Sequence, residues 1–140
     1  MKMSLKKDIE SRADIDALLE AFYEKATSDE VIGFIFTEVA KLDLARHLPI
    51  IGDFWETLLF GKNAYQKHGR NPLRIHAELN LKTPLRHEHF RRWLHIFRET
   101  VDEYFAGERA EFAVSRAEAI ANRMQNYIGG VSELKVQRAR

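Results

Sequence analysis

The sequence contains no cysteine. This absence excludes disulfides, thiolate catalysis, iron–sulfur clusters and cysteine-type zinc sites. Any metal ion must therefore be bound by His, Asp, Glu, Tyr or Met side chains. The sequence also lacks an excess of either charge, because its 22 basic and 21 acidic residues leave a net charge of +1. Proteins that bind duplex nucleic acid usually carry a clear basic excess, so no nucleic-acid partner is expected.

Long apolar runs are missing as well. No segment approaches the length of a membrane span, and no charged-then-apolar signal segment opens the chain. These absences predict a cytoplasmic protein without a membrane partner. The chain has 140 residues, which suits one compact domain. We expect a flexible N-terminal segment over 1–12, a folded domain over 13–130 and a polar tail over 131–140.

The sequence shows no sustained alternation of apolar and polar residues with hairpin turns, which argues against a sheet. Apolar residues instead recur at helical spacing in several long stripes. The pattern predicts an all-α fold with four substantial helices and two or three short ones. The three clearest stripes are Ile15, Leu18, Leu19, Phe22, Tyr23 and Ala26; Phe90, Trp93, Leu94, Phe97, Val101, Tyr104 and Phe105; and Ala110, Ala113, Val114, Ala117, Ile120, Ala121, Met124, Tyr127 and Ile128.

Local signals predict where some of these helices begin and end. Thr83 and Pro84 are typical of an N-cap and first helical position, so a helix is expected to start there. Gly129 and Gly130 are expected to end the last helix. The cluster Phe34–Phe36 is expected to be buried on more than one side.

One histidine is placed unusually. Asn71 can cap a short helix whose first position is Pro72, and Leu73, His76 and Ala77 then share one face. A neutral imidazole on that face is a good ligand for iron, zinc or copper. A single inward histidine is more often a core residue bonded to a neighbour, so this segment alone does not decide between the two roles.

The other five histidines differ in their settings. His47 begins an apolar helical face, whereas His95 lies on a polar face and His68 in a polar linker, where both are expected to be exposed. His87 and His89 are two residues apart, and side chains at that spacing diverge on a helix, which disfavours a zinc site.

Tyr23 and Trp93 each combine a large apolar body with one polar hydrogen. Taken alone, each is consistent with simple core packing. Together with His47 and His76, they bring two histidines and two donors from different helices toward one interior. Helices that enclose a prosthetic group leave a gap lined in this way.

The sequence resembles the group III truncated haemoglobins, a family of bacterial two-over-two globins. The resemblance runs from about Ile9 to Tyr127. It rests on five segments in this order and spacing, and on the lack of the paired glycines found between helices in other truncated groups. The segments are Ala21–Lys25, Gly33–Phe36, His47–Trp55, Asn71–His76 and His89–Leu94.

The resemblance implies a two-over-two helical sandwich around haem b. His76 then corresponds to the proximal iron ligand, and Tyr23 and Trp93 to distal donors that stabilise an iron-bound ligand. His47 corresponds to the distal residue that gates the pocket. Because there is no Cys-x-x-Cys-His motif, the haem would be held non-covalently.

The resemblance also implies which residues pack on the haem. Phe36 corresponds to the phenylalanine on the porphyrin and Ile51 to the apolar residue over its face, with Phe54 and Leu73 as further contacts. Arg70 and Arg74 flank the start of the ligand helix and are candidates for the propionates. The linker Tyr65–Asn71 is longer than the corresponding segment of the family.

The function implied is binding of O₂, NO, CO or peroxide at a five-coordinate iron. Two donors would slow O₂ release, which favours detoxification of NO or peroxide over transport and implies a reductase partner. An oxygen carrier, store or sensor is the alternative within the haem proteins. A helical interaction domain without haem, in which His47 and His76 are merely buried, is the alternative from another class.

Overall fold

The computed structural model describes residues 6–139 of the chain, and the side chains of 6–130. Within that range there are five α-helices and no strand, which confirms the predicted all-α class. The helices are α1 (Arg12–Thr27), α2 (Leu44–Phe60), α3 (Pro72–Lys82), α4 (His87–Tyr104) and α5 (Glu108–Ala139). A π-helical turn at Ile35–Val39 and a 3₁₀ turn at Gln66–His68 join them. No helix in the described part of the chain has the length and apolarity needed to cross a bilayer.

The helices form two packed pairs. α1 lies against α2, α4 lies against α5, and α1 also contacts α4, so that one pair is stacked on the other. The contact between α4 and α5 is close because four alanines of α5 are buried, and alanine lets two helix backbones approach. These are Ala110, Ala113, Ala117 and Ala121. The fifth helix, α3, packs against α5.

Helix α1 follows its sequence pattern closely. The Ser11 side chain accepts a hydrogen bond from the Asp14 amide and caps the helix, which begins at Arg12. All six residues of the predicted stripe are buried. Phe22 and Ile15 are among the least accessible side chains of the protein, so α1 is the centre of the core.

The expected flexible segment at the N-terminus is partly packed. Ile9 has no exposed surface, and the Asp8 carboxylate accepts hydrogen bonds from the backbone amides of Arg109 and Ala110 at 2.9 Å. Asp8 thereby satisfies amides of the first turn of α5, which have no partner within that helix. Residues 1–5 lie outside the described part of the chain.

The predicted end of α5 at Gly129 and Gly130 is wrong. The helix continues through both glycines to Ala139, so the expected boundary before residue 131 falls inside one continuous helix. Neither glycine has a positive φ. Each costs a helix about 1 kcal/mol relative to alanine, which lowers its stability without ending it.

The predicted start of α4 at Thr83 and Pro84 is also wrong. Thr83 instead ends α3, its amide bonded to the Leu79 carbonyl at 3.1 Å, and α4 begins at His87. Thr83 is extended, as expected for a residue before proline. At the true start, His89 Nδ1 accepts a hydrogen bond from the Arg86 amide at 3.0 Å.

Three aromatic side chains that were expected to be buried lie at the surface. Phe34, Tyr104 and Tyr127 are 37%, 48% and 38% exposed. Each lies at the edge of a run whose central residues are buried, as Ile35 and Val101 are. The helical period therefore identified the correct faces but overestimated their width.

A buried carboxylate fastens α2 to the rest of the fold. Asp53 is 8% exposed and contacts Arg12 Nη1 at 2.6 Å, His68 Nε2 at 2.8 Å and Lys67 Nζ at 3.4 Å. His68, expected to be exposed, is thus drawn inward. Burial by itself would raise the pKa of Asp53, but the hydrogen bonds from His68 and Arg12 outweigh it and hold the pKa at about 2.

We expect Asp53→Asn to lower the free energy of unfolding at neutral pH by about 1–3 kcal/mol, because the ion pairs lose their anion. The pKa of Asp53 is lower in the folded state than in the unfolded state. Its stabilisation is therefore complete above pH ~4 and is lost as the pH falls toward ~2. Urea unfolding at several pH values measures both effects. Asp16→Asn, which removes only an exposed contact to Arg12, is the control and should change little.

Candidate functional site

The helices enclose a cavity of about 490 Å³, a volume in the range typical of cofactor sites. All five helices contribute to its wall, which is mostly apolar and aromatic. Representative wall residues are Leu19, Phe22, Phe36, Ile51, Phe54, Trp55, Leu79, Phe90, Phe97 and Met124. The chain thus folds around a space that its own side chains do not fill.

His76 lies in the wall of this cavity on α3. The helix starts as predicted, with the Asn71 side chain accepting a hydrogen bond from the Arg74 amide and Pro72 in the first position. The Pro72 carbonyl lies 2.7 Å from His76 Nδ1 and can only accept, so Nδ1 carries the proton. The other ring nitrogen, Nε2, keeps its lone pair and has no hydrogen-bond partner among the described residues.

The protonation state of His76 supports this geometry. Burial lowers the pKa of the imidazole, and the positive charge of Arg70 lowers it further, against the opposing effect of the Pro72 carbonyl. The ring is therefore neutral at physiological pH. A neutral imidazole with one N–H fixed by a backbone carbonyl has the arrangement that metal-ligating histidines usually have.

A pair of polar side chains, one from α1 and one from α2, also lines the cavity. The Tyr23 hydroxyl lies 3.0 Å from His47 Nε2, and the two rings meet edge to face. Burial raises the pKa of Tyr23 far above its ordinary value, so the phenol stays protonated. Burial also lowers the pKa of His47 to about 4, and the positive charge of Arg70 and the nearby His76 ring act in the same direction. Both groups are therefore neutral, and the Tyr23 hydroxyl can donate to Nε2.

Trp93 is the other donor predicted from the sequence. It lies in the cavity wall, and its ring stacks on Phe97 with the planes 12° apart. Its indole N–H makes no hydrogen bond with any described residue, so a donor is available at the cavity. The structure thus brings Tyr23, His47, His76 and Trp93 to one cavity from four different helices.

The apolar and basic residues predicted for the site divide into two sets. Phe36, Ile51, Phe54 and Arg70 line the cavity, whereas Leu73 and Arg74 do not. Most of the Arg74 side chain is exposed, and its guanidinium lies 3.3 Å from Glu78 on the next turn. Arg74 lies two residues before His76 on α3, and side chains at that spacing do not share a helix face.

Arg70 carries a charge that the protein does not neutralise nearby. No described Asp or Glu lies within ion-pair distance of it, yet its field lowers the pKa of His47 and His76. It likewise opposes the rise that burial causes in the pKa of Tyr65. A cation in a largely apolar wall with no protein counterion suits the anionic group of a ligand.

Four polar wall residues were not assigned to the cavity from the sequence: Tyr65, Glu78, Lys82 and His89. Tyr65 and Lys82 lie in or next to connecting segments, where no helical period indicates which way a side chain points. His89 could have been found, because it precedes Trp93 by one helical turn on α4. Its exposed neighbour His87 instead contacts Gln125 at 2.8 Å.

The donor set favours a macrocyclic metal complex over a bare ion. Among the described residues, no three His, Asp or Glu side chains come together as a metal-binding cluster. The cavity instead presents one uncoordinated imidazole nitrogen, a broad aromatic wall and an unpaired arginine. A flat prosthetic group that brings its own metal ligands and an acidic edge fits these features.

No family model matches the chain. It is 31% identical over 121 residues to the group 3 truncated haemoglobin ctb of Campylobacter jejuni, an alignment that covers 84% of this chain and 91% of that protein. The crystal structure of the group III truncated haemoglobin from Campylobacter jejuni superimposes with a TM-score of 0.75 at 30% identity. That superposition covers 89% of this chain and 95% of the other. Sequence, architecture and cavity agree, and the chain belongs to the group III truncated haemoglobins.

Proposed function

We propose that the chain binds haem b non-covalently, with His76 Nε2 as the proximal ligand of the iron. The observation that carries this proposal is the 2.7 Å contact between His76 Nδ1 and the Pro72 carbonyl, which leaves Nε2 unprotonated at a cavity wall. The absence of cysteine excludes the usual covalent attachment. Haem, when bound, supplies an iron with an open coordination position for a diatomic gas or a peroxide.

We expect His76→Gly to remove the proximal ligand and to lose most of the bound haem. The Soret absorption of the purified protein measures the loss, and added imidazole should restore a large part of it. His95→Gly is the control, because His95 is exposed on α4 and should leave the spectrum unchanged. Full retention of haem by His76→Gly, with an unaltered spectrum, would disprove the ligand assignment.

Arg70 is proposed to bind a haem propionate, with Phe36, Ile51 and Phe54 packed on the macrocycle. The unpaired charge of Arg70 in the cavity wall supports this role. The guanidinium of Arg74 is exposed and already faces Glu78, so we assign it no propionate. Leu73 is likewise left out of the set of haem contacts.

Arg70→Ala should therefore speed the transfer of haem to an apo-acceptor about tenfold or more, since a charge-assisted hydrogen bond contributes about 1.5–3 kcal/mol. Arg74→Ala is the matched control and should change the transfer rate less than about twofold. Equal effects of the two substitutions would show that the cavity position of Arg70 is unimportant for haem retention.

Tyr23 and Trp93 are proposed to donate hydrogen bonds to a ligand in the distal part of the cavity. The Trp93 N–H has no partner among the described residues, and the Tyr23 phenol remains protonated because burial raises its pKa. Tyr23 now contacts His47, so ligand binding requires the hydroxyl to turn or His47 to move. We therefore propose that His47 acts as the gate of the cavity.

Two such donors favour retention of oxygen over rapid release. In a dry cavity each hydrogen bond contributes about 1–3 kcal/mol, so together they would slow release by about tenfold to a thousandfold or more. A protein that releases O₂ slowly is a poor carrier. We therefore propose redox chemistry on NO or peroxide, with a reductase that returns the iron to its ferrous state, rather than oxygen transport.

Tyr23→Phe and Trp93→Phe should each raise the O₂ dissociation rate by about five- to a hundredfold, because each removes one donor. Stopped-flow displacement of O₂ by CO measures these rates. Tyr104→Phe, which removes an exposed hydroxyl outside the cavity, is the control. Rapid release by the unaltered protein, unaffected by either substitution, would favour a carrier, store or sensor. A purified protein that is colourless and does not bind added hemin would favour an interaction domain without haem.

A further inference from the structure

Both tryptophans of the chain lie in the cavity wall and stack on the same phenylalanine. The Trp93 and Phe97 rings have centroids 5.6 Å apart and planes 12° apart. The Trp55 and Phe97 rings have centroids 5.0 Å apart and planes 17° apart. Phe97 therefore bridges the two indoles in nearly parallel stacking.

The contacts continue from Trp55 toward the surface. Phe54 meets Trp55 edge to face at 5.6 Å, and Tyr65 meets Phe54 edge to face at 5.2 Å. Trp55 is only 5% exposed, whereas Tyr65 is half-buried in the segment between α2 and α3. We call the five rings from Trp93 through Phe97, Trp55 and Phe54 to Tyr65 the aromatic column.

The order of residue types along this column matters for redox chemistry. Indoles and phenols are readily oxidised by one electron, whereas a phenylalanine ring is not and serves only as a closely packed spacer. The column therefore alternates oxidisable and inert rings and ends on the phenol of the half-buried Tyr65. Since the chain has no cysteine, indoles and phenols are its best one-electron donors.

We propose that the aromatic column carries single electrons from Tyr65 through Trp55 to Trp93 when a peroxide is reduced in the cavity. This inference rests on the proposed haem and peroxide chemistry. Reducing hydrogen peroxide to two water molecules consumes two electrons and two protons. The column delivers each electron in turn to the oxidised site at the cavity, and the protons come from water.

Each transfer along the column balances. Trp93 gives up one electron and becomes a radical cation. Trp55 then reduces this radical cation and is itself oxidised. Tyr65 then gives one electron to Trp55 and releases its phenolic proton to water, leaving a neutral tyrosyl radical. A one-electron donor in solution, such as a small phenol or ascorbate, returns an electron to Tyr65, and water returns the proton.

The surroundings of Trp55 and Tyr65 suit this direction. Trp55 is buried, and no described side chain is hydrogen-bonded to its indole N–H to take up the proton of the radical cation. Tyr65 is only half-buried. Burial raises the pKa of its phenol, and the positive charge of Arg70 partly opposes that rise. The oxidising equivalent therefore comes to rest at Tyr65 rather than inside the core.

Electron paramagnetic resonance of the holoprotein tests the proposal. The ferric protein is mixed with one equivalent of hydrogen peroxide without a reductant and frozen within seconds. A second sample carries a spin trap, and the labelled residue is found by peptide mass spectrometry. The variants are Tyr65→Phe and Trp55→Phe, with Tyr104→Phe as a control for an exposed tyrosine outside the column. The Soret band of every sample reports bound haem.

We expect a tyrosyl radical trapped at Tyr65 in the unaltered protein and in Tyr104→Phe. Tyr65→Phe should lose the tyrosyl signal and show a tryptophan radical instead. Trp55→Phe should lower the yield of the Tyr65 adduct at least tenfold while haem remains bound. Because Tyr65 is only half-buried, Tyr65→Phe should fold and provides a test even if Trp55→Phe does not.

Three results would overturn the proposal. One is a tyrosyl signal that survives Tyr65→Phe, for example one that disappears only in Tyr23→Phe. Another is an unchanged Tyr65 adduct in folded Trp55→Phe. The third is haem-containing protein that yields no protein radical. In each case the Soret band shows that haem is bound, so the proposed function stands; a protein without that band overturns the proposed function and this inference with it.

Discussion

The hydrogen bond between His76 and the Pro72 carbonyl is the constraint on which the site depends. Because the carbonyl can only accept, Nδ1 must hold the proton and Nε2 must keep its lone pair. Proline supplies that carbonyl from the first position of α3, where its missing amide costs no hydrogen bond. One short helix thus fixes the position, tautomer and neutrality of the imidazole together.

The rest of the cavity complements this one basic atom. Tyr23 and His47 satisfy each other while remaining neutral, and Trp93 offers a donor that no described residue uses. Arg70 supplies a charge that has no ion-pair partner among the described residues. Polar groups in an apolar interior are costly when unpaired, so a wall with several of them is the surface of a site for a ligand that pairs them.

On the side of α2 that does not line the cavity, a buried charge is paired within the protein. There Asp53 is surrounded by Arg12, Lys67 and His68, whose hydrogen bonds outweigh the effect of burial and hold its pKa at about 2. This cluster joins the start of α1 to the middle of α2 and to the turn that follows. It holds α2, and with it the wall carrying His47, against the core without adding charge to the cavity.

The sequence by itself determined the helical class, the buried face of α1, the cap of α3 and the inward histidines, because each is encoded within one or two helical turns. The resemblance to the group III family added the roles expected of Tyr23, His47 and Trp93. Local signals were misleading at two helix boundaries. Thr83 and Pro84 are residue types typical of a helix start, but Thr83 ends the preceding helix, α3. Gly129 and Gly130 are typical of a helix end, but α5 continues through both.

Only the tertiary structure decided which of two neighbouring arginines reaches the cavity, that His68 turns inward to Asp53, and that the two tryptophans share Phe97 as a bridge. Arg70 and Tyr65 lie in a connecting segment without a helical period, so the sequence carries no information about the direction of their side chains. The stacked rings come from α2 and α4, which are far apart along the chain. Their contact is fixed by how the two helix pairs pack, which no local pattern encodes.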